Sequence, residues 1–177
     1  DGSANGVTVL RQGWGVEPLT EGQAACVSTM SYNEYWVVRD AGYSPEQLTV
    51  FKYQSEGAAT LEDGLYVHEK NLSDAAFKDK MVRFVRASMK GWKYAEANPK
   101  EAAMIILDND DAGVQTEKHQ VRMMGEIAKL TAGSNGSLDP ADYERTVKVL
   151  MSGDSDPVIT KKPSGAWTNE ITNAALN

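Results

Sequence analysis

Short apolar runs alternate with helix-like patterns over the first third of the chain. The runs at residues 7–10, 25–30 and 48–51 are β-prone and bounded by Gly, Pro and polar residues, which is typical of strands. Between them, residues 17–19 predict a short helix, and the apolar spacing within residues 31–42 predicts a second. Strands that alternate with helices are joined most simply as parallel neighbours through right-handed crossovers. The pattern therefore predicts an α/β fold that opens with a short parallel β-α-β section.

The pattern changes after residue 53. Residues 54–60 are small and polar, which indicates a hinge, and residues 65–67 offer one more possible strand. Ser73 and Asp74 then precede a long helix whose apolar residues recur every three or four positions, which predicts one buried face. These residues are Phe77, Met81, Phe84, Val85, Met89 and Trp92.

Further helices are marked by their first residues. Asn98-Pro99 and Asp139-Pro140 each combine a capping side chain with a proline suited to the first helical turn. Residues 116–130 carry apolar side chains on one side, and a short helix is predicted after Trp167. The section from residue 61 onward is therefore predicted to be mainly helical.

Composition narrows the class of protein. The chain has 177 residues, with 18 Lys plus Arg against 25 Asp plus Glu, and a formal net charge of -7. Nucleic-acid binders gain most of their affinity from clustered cations, so we expect no nucleic-acid partner. No apolar run approaches the roughly 18 residues needed to cross a bilayer, which predicts a water-soluble protein. The chain starts without Met and without an apolar signal core, which we interpret as a processed product or a fragment.

The strongest candidate site follows the second predicted strand. Tyr32, Asn33 and Glu34 come where that strand ends and a helix begins, an edge that faces the ligand crevice in open α/β sheets. Tyr rings can stack on a heterocycle, and a carboxylate can accept two hydrogen bonds from an aminopyrimidine-like edge. The alternative is a capping box, because Ser31 and Glu34 have the S-x-x-E spacing.

Trp14 is the fourth candidate ligand-binding residue. It follows the first predicted strand, and the flanking Gly13 and Gly15 allow its ring to project from a tight turn on the same edge. Its functional interpretation is an aromatic platform, and the alternative is a ring that covers core packing.

Catalytic and metal sites have little support. Asp108 to Gly113 matches the start of a calcium loop, but His119 stands where a bidentate Glu is required, so a solvated interhelical turn is the better interpretation. Cys26, His68 and His119 have no partners at metal or nucleophile spacing. We therefore expect no catalytic residue, no metal and no cofactor.

Several longer runs resemble one family. They are VLRQGW at 9–14, STMSYNEYW at 28–36, TLEDGLYV at 60–67, RFVRASMKGW at 83–92, LDND at 107–110 and DPADY at 139–143. These runs resemble the bacterial solute-binding proteins of ABC importers, in the nitrate, sulfonate, taurine and thiamine-pyrimidine (NMT1-like) group. Members are about twice as long, and the chain resembles their C-terminal half.

The resemblance implies half of a two-lobed, type II periplasmic binding protein. Residues 1–53 then complete lobe two, residues 54–60 cross between lobes, and residues 61–177 return to lobe one. It implies a protein without catalysis that captures a small polar solute (pyrimidine, sulfonate or nitrate-like) in an inter-lobe cleft and delivers it to an ABC permease in the membrane. The implied location is the periplasm, or the extracellular face with a lipid anchor.

The resemblance also bears on the site and on the alternatives. In pyrimidine-binding members an aromatic-Asn-Glu segment lies at the cleft, which carries over onto Tyr32, Asn33 and Glu34. The alternative function is a thiamine-pyrimidine biosynthetic enzyme on the same fold. Eukaryotic relatives of that kind consume their own histidine and use a cysteine-rich iron motif, which Cys26 alone cannot supply. A third possibility is a stand-alone helical interaction module.

Two structural expectations follow. The side chains of Tyr32, Asn33 and Glu34 should be solvent-accessible at the sheet edge, close to Trp14. The helical stripes should need a covering partner, either a missing N-terminal half or a second copy of the chain.

Overall fold

The chain is mainly helical in the computed structural model, which describes residues 6–152 and 157–176. Within those ranges the α-helices are α1 (Glu17–Thr20), α2 (Glu34–Asp40), α3 (Ala75–Ala97), α4 (Pro99–Asp108), α5 (Glu117–Thr131), α6 (Pro140–Leu150) and α7 (Glu170–Leu176). Two short 3-10 turns cover Pro45–Gln47 and Glu69–Ser73. The described ranges leave out residues 1–5 of the predicted section 1–53. They also leave out residues 153–156 and 177 of the predicted section 61–177.

The predicted helices are confirmed, and their first residues explain where they begin. The Asp139 carboxylate accepts from the Ala141 N–H at 2.8 Å, and Thr116 Oγ1 accepts from the His119 N–H at 3.3 Å. Asp74 similarly accepts from the Ala76 N–H at 2.8 Å, just before α3. Side-chain acceptors of this kind satisfy N–H groups that have no partner within the helix. These starts are local properties of the sequence.

The predicted strands are wrong. Residues 7–10, 25–30, 48–51 and 65–67 form no strand in the described part of the chain, so the parallel β-α-β section of the predicted α/β fold is not formed. A strand exists only when a neighbouring strand accepts and donates its backbone hydrogen bonds. These segments have no paired neighbouring strand in the described part of the chain. Many of their side chains are exposed, such as Val9 with 79% and Phe51 with 63% of its surface accessible.

The predicted apolar face of α3 is present but is not buried within the described chain. None of the residues of this helix is buried, although the apolar spacing is present. Phe84 and Trp92 remain about half exposed. The spacing gives the helix an apolar side, but only a partner of sufficient area removes that side from water.

The described chain divides into two compact units. Unit one combines the chain up to Val50 with Lys93–Ala132. Its core lies where α4 packs on α5, and it is formed by Ala102, Ala103 and Met124. Because two of these three side chains are alanines, the helices approach closely, and Met124 fills the remaining space.

Unit two combines Phe51–Trp92 with the chain from Gly133 onward. The Arg86 guanidinium donates to the carbonyls of Ala175 and Ala174 at the end of α7, at 3.0 and 3.1 Å. The side chain of Asn169 both donates to and accepts from the backbone of Leu138. Side-chain hydrogen bonds to backbone atoms therefore help to join the segments of unit two.

Candidate functional site

The candidate residues lie in a turn that leads into α2. The Met30 carbonyl accepts from the N–H groups of Asn33 (3.1 Å) and Tyr35 (3.3 Å). The Met30 N–H in turn donates to Glu34 Oε2 at 2.8 Å. The backbone of Met30 thus fixes both the turn and the carboxylate at its end.

The capping-box alternative for Glu34 is wrong. α2 begins at Glu34 itself, and the preceding residue, Asn33, makes no side-chain cap. Glu34 therefore occupies the first helical position, whereas a capping box requires the third. The Glu34 carboxylate accepts hydrogen bonds from Met30 and Asn33. Because it does not form a capping box, capping does not compete with the predicted ligand-binding role.

Asn33 connects the carboxylate to a residue distant in sequence. Asn33 Nδ2 donates to Glu34 Oε1 at 3.1 Å, and Asn33 Oδ1 lies 2.8 Å from Nε2 of His119. Tyr32, Asn33, Glu34 and His119 are all half-buried. Groups in this environment are held in place but can still be reached from solvent.

The position of His119 is set by α5. Thr116 caps the helix at the His119 N–H, and Met124 packs the next turns of α5 against α4. The sequence indicates no partner for His119 at metal or nucleophile spacing, whereas the structure gives it a polar partner, Asn33, at the start of α2.

Three further contacts join α2 to α5. The Arg122 guanidinium lies 4.9 Å from the centre of the Trp36 ring, within cation-π range. Asp40 pairs with Lys118 at 3.0 Å and with Arg122 at 2.9 Å. These contacts and the pair Asn33–His119 follow one face of α2.

The Asp40 ion pairs also affect titration. Hydrogen bonds from the Lys118 ammonium and the Arg122 guanidinium hold the pKa of Asp40 below its ordinary value. Both cations favour the ionised carboxylate.

Replacement of Asp40 by Asn should therefore destabilise unit one in a pH-dependent way. At neutral pH we expect Asp40→Asn to lower the free energy of unfolding by about 0.5 kcal/mol, since water screens a partly exposed ion pair. The folded-state pKa is lowered, so this contribution is present above the ordinary carboxyl pKa and is lost as the pH falls through the folded value. Urea unfolding at a series of pH values measures it.

Asp79→Asn serves as the control for that experiment. Asp79 forms an ion pair with Arg83 on the surface of α3, and both side chains are exposed. Its replacement should change stability less than Asp40→Asn does. A difference between wild type and Asp40→Asn that stays the same at every pH contradicts the assignment.

Trp14 lies in a bend just before α1, and the segment preceding it is bound to the chain leading into the site. Gln12 Nε2 donates to the Ser28 carbonyl at 2.8 Å, and Gln12 Oε1 accepts from the Ser28 N–H at 2.9 Å. Two residues later, Trp14 is 101% exposed. The alternative of a ring that covers core packing is therefore wrong, and the predicted stacking role of Trp14 stays a prediction.

The described residues show no grouping of three His, Cys, Asp or Glu side chains that could hold a metal ion. Asp108 ends α4 and residues 109–113 lie in the connection to α5, where Asp110 Oδ2 accepts from the Gln115 N–H at 2.7 Å. Cys26 is exposed. Among the helices of the described ranges, none has the length and apolar character that a membrane crossing requires.

Comparison with known proteins gives one result. A sequence model of the family described as NMT1/THI5 like matches residues 1–102, more than half of the chain. This range includes Trp14, Tyr32, Asn33 and Glu34. No curated protein matches the chain, and no solved structure matches it.

Proposed function

The chain belongs to the NMT1/THI5-like family, which implies a solute-binding or thiamine-pyrimidine-related function, and from this membership we propose that it is part of a solute-binding protein of an ABC importer. It captures a small polar solute between two lobes and passes it to the membrane permease. The proposed location is the periplasm, or the extracellular face with a lipid anchor. The proposed fold is that of the two-lobed periplasmic binding proteins.

The Glu34 carboxylate is the observation that supports this proposal best. An ionised carboxylate has about four acceptor positions, and Met30 and Asn33 occupy two of them. The remaining positions suit a solute that carries N–H donors. Tyr32 and Trp14 are the proposed stacking residues, so a flat ring with an amino group fits the residue types present.

This chemistry favours one of the solute classes over the others. Nitrate and sulfonates are anions, and a carboxylate at the site repels them. Lys118 and Arg122 do not offset this repulsion fully, because both pair with Asp40. We therefore propose an aminopyrimidine as the solute.

Ligand-induced thermal stabilisation tests the proposal, because a ligand that binds only the folded state raises the melting temperature. The full-length gene product is heated with 4-amino-5-hydroxymethyl-2-methylpyrimidine, taurine or nitrate, and calorimetry then gives the affinity. We expect stabilisation by the aminopyrimidine alone. Glu34→Gln should weaken binding by about tenfold or more, because a hydrogen bond to a charged group is lost.

Two control variants accompany Glu34→Gln. Glu21 is an exposed carboxylate of the same unit, bound only by Gln23 among the contacts described, so Glu21→Gln should leave affinity unchanged. Cys26→Ser should also have no effect. Stabilisation by taurine or nitrate, with none by the aminopyrimidine, would contradict the solute class.

The alternative function gives a different result in the same experiment. An enzyme of thiamine-pyrimidine synthesis would form a product and would require iron or a pyridoxal cofactor. Mass spectrometry of the protein and of the small molecules after incubation distinguishes the two. Stabilisation without product supports the receptor, and a histidine consumed in the reaction supports the enzyme.

A further inference from the structure

The hydrogen bonds of Asn33 fix the state of His119. A carboxylate only accepts hydrogen bonds, so the Asn33 group that faces Glu34 must be the NH2 group. The Asn33 oxygen therefore faces His119, and an amide oxygen cannot donate. It follows that Nε2 of His119 carries a hydrogen and donates it to Asn33 Oδ1 across the 2.8 Å contact.

These bonds form one directed chain from α5 to the carboxylate. His119 donates to Asn33, Asn33 donates to Glu34 Oε1, and the Met30 N–H donates to Glu34 Oε2. Each oxygen of the carboxylate accepts one hydrogen bond. The bond from Asn33 depends on α5, because His119 orients the Asn33 amide. Without the imidazole, the Asn33 amide could rotate and turn its oxygen towards Glu34. The amide oxygen and the carboxylate would then repel each other.

The imidazole is a firm reference point because α5 is fixed independently of the turn. Thr116 caps α5 at the His119 N–H, and the core around Met124 packs the helix on α4. The turn that carries Asn33 is short, and none of residues 30–33 is buried. The direction of the effect is thus from α5 to the turn.

We propose that His119 is a positioning residue of the solute site: through Asn33 it holds the Glu34 carboxylate at the angle that receives the N–H donors of the solute. The proposal rests on the proposed function, because it assigns Glu34 to the solute. His119 itself contacts Asn33 rather than the solute. Its contribution is to preorganise the acceptor before the solute arrives.

The test compares two substitutions at the same position in the full-length gene product. His119→Gln can place an amide N–H where the imidazole Nε2–H lies, whereas His119→Leu has no donor. With 4-amino-5-hydroxymethyl-2-methylpyrimidine as the probe, we expect His119→Leu to bind about tenfold more weakly. A loss of this size corresponds to the removal of one hydrogen bond. We expect His119→Gln to bind within about threefold of wild type.

Side-chain NMR provides a readout that a general loss of stability would not move. The Asn33 NH2 resonances should shift in His119→Leu and return towards the wild-type position in His119→Gln. In the wild type, the 15N spectrum of the imidazole should show the Nε2–H tautomer. His68, the exposed histidine of unit two, gives the matched control His68→Leu, which should change neither the affinity nor the Asn33 resonances.

Several outcomes overturn the proposal. If the wild-type His119 is an Nδ1–H tautomer, the proposal is overturned. This result needs no variant, so it holds even if His119→Leu fails to fold. Wild-type binding that both His119 variants preserve in full overturns the role of His119 and leaves the proposed function standing. A wild-type protein that does not bind the probe overturns both.

Discussion

Static light scattering on the purified chain should give a mass well above the 19.3 kDa of one copy at micromolar concentration. The only possible partner in that sample is a second copy, so we expect the chain to self-associate. Large exposed apolar patches rarely remain in contact with water.

The reason is the imbalance between buried and exposed apolar side chains. The buried hydrophobic residues of the described chain are Val16, Val38, Ala102, Ala103, Met124, Val147 and Ala175. Larger apolar side chains of the described chain, such as those of Phe51, Tyr66 and Phe84, remain exposed within one copy.

Variants of α3 locate the effect. Phe84 is 53% exposed and Trp92 is 45% exposed, so the double change Phe84→Gln and Trp92→Gln should shift the measured mass towards that of one copy. The matched control is Lys80→Gln with Lys90→Gln, which changes two exposed polar positions of the same helix. A monodisperse monomer of the unchanged chain at high micromolar concentration would contradict the prediction.

Met124→Ala should cause the largest loss of stability among single substitutions in unit one. Met124 is 4% exposed and packs against Ala102 and Ala103. Truncation removes apolar contacts and leaves a cavity, which costs about 3 kcal/mol of the free energy of unfolding. Small neighbouring side chains cannot move in to fill that space, since alanine has no rotamers to change.

Met104→Ala is the matched control, because Met104 lies on α4 but is 36% exposed. We expect its loss to stay under about 1 kcal/mol. Urea unfolding gives the two free energies, and amide hydrogen exchange shows whether α4 and α5 open together in Met124→Ala. Equal losses for the two methionines would mean that the α4–α5 contact is not the core of unit one.

The sequence predicts the helices well because their determinants are local. Asp139, Thr116 and Asp74 each satisfy backbone N–H groups within three residues, so no distant partner is needed. The strands could not be predicted in this way. A β-prone run such as residues 25–30 specifies only a preference for an extended backbone, and pairing depends on another segment being beside it.

The candidate site also has a local part that the sequence predicts and a distant contact that it does not predict. The turn from Met30 to Glu34 is local, and its residue types were sufficient to single it out. His119 was missed because its partner Asn33 is distant in the chain, and nothing in the sequence indicates that this face of α5 meets α2. The polar residues Lys118, His119 and Arg122 share one side of α5, which is also the pattern of an ordinary solvated helix face.

Met30 carries a consequence for how this segment can change during evolution. Its N–H and carbonyl organise the turn and hold the carboxylate, while its side chain is 36% exposed. Any residue with a backbone N–H supplies the same two groups, so position 30 tolerates almost every amino acid. Proline is the exception, because it lacks the N–H that binds Glu34. A position that varies among relatives can therefore lie close in the chain to a residue proposed to bind the solute, and selection at such a position excludes proline rather than favouring one residue.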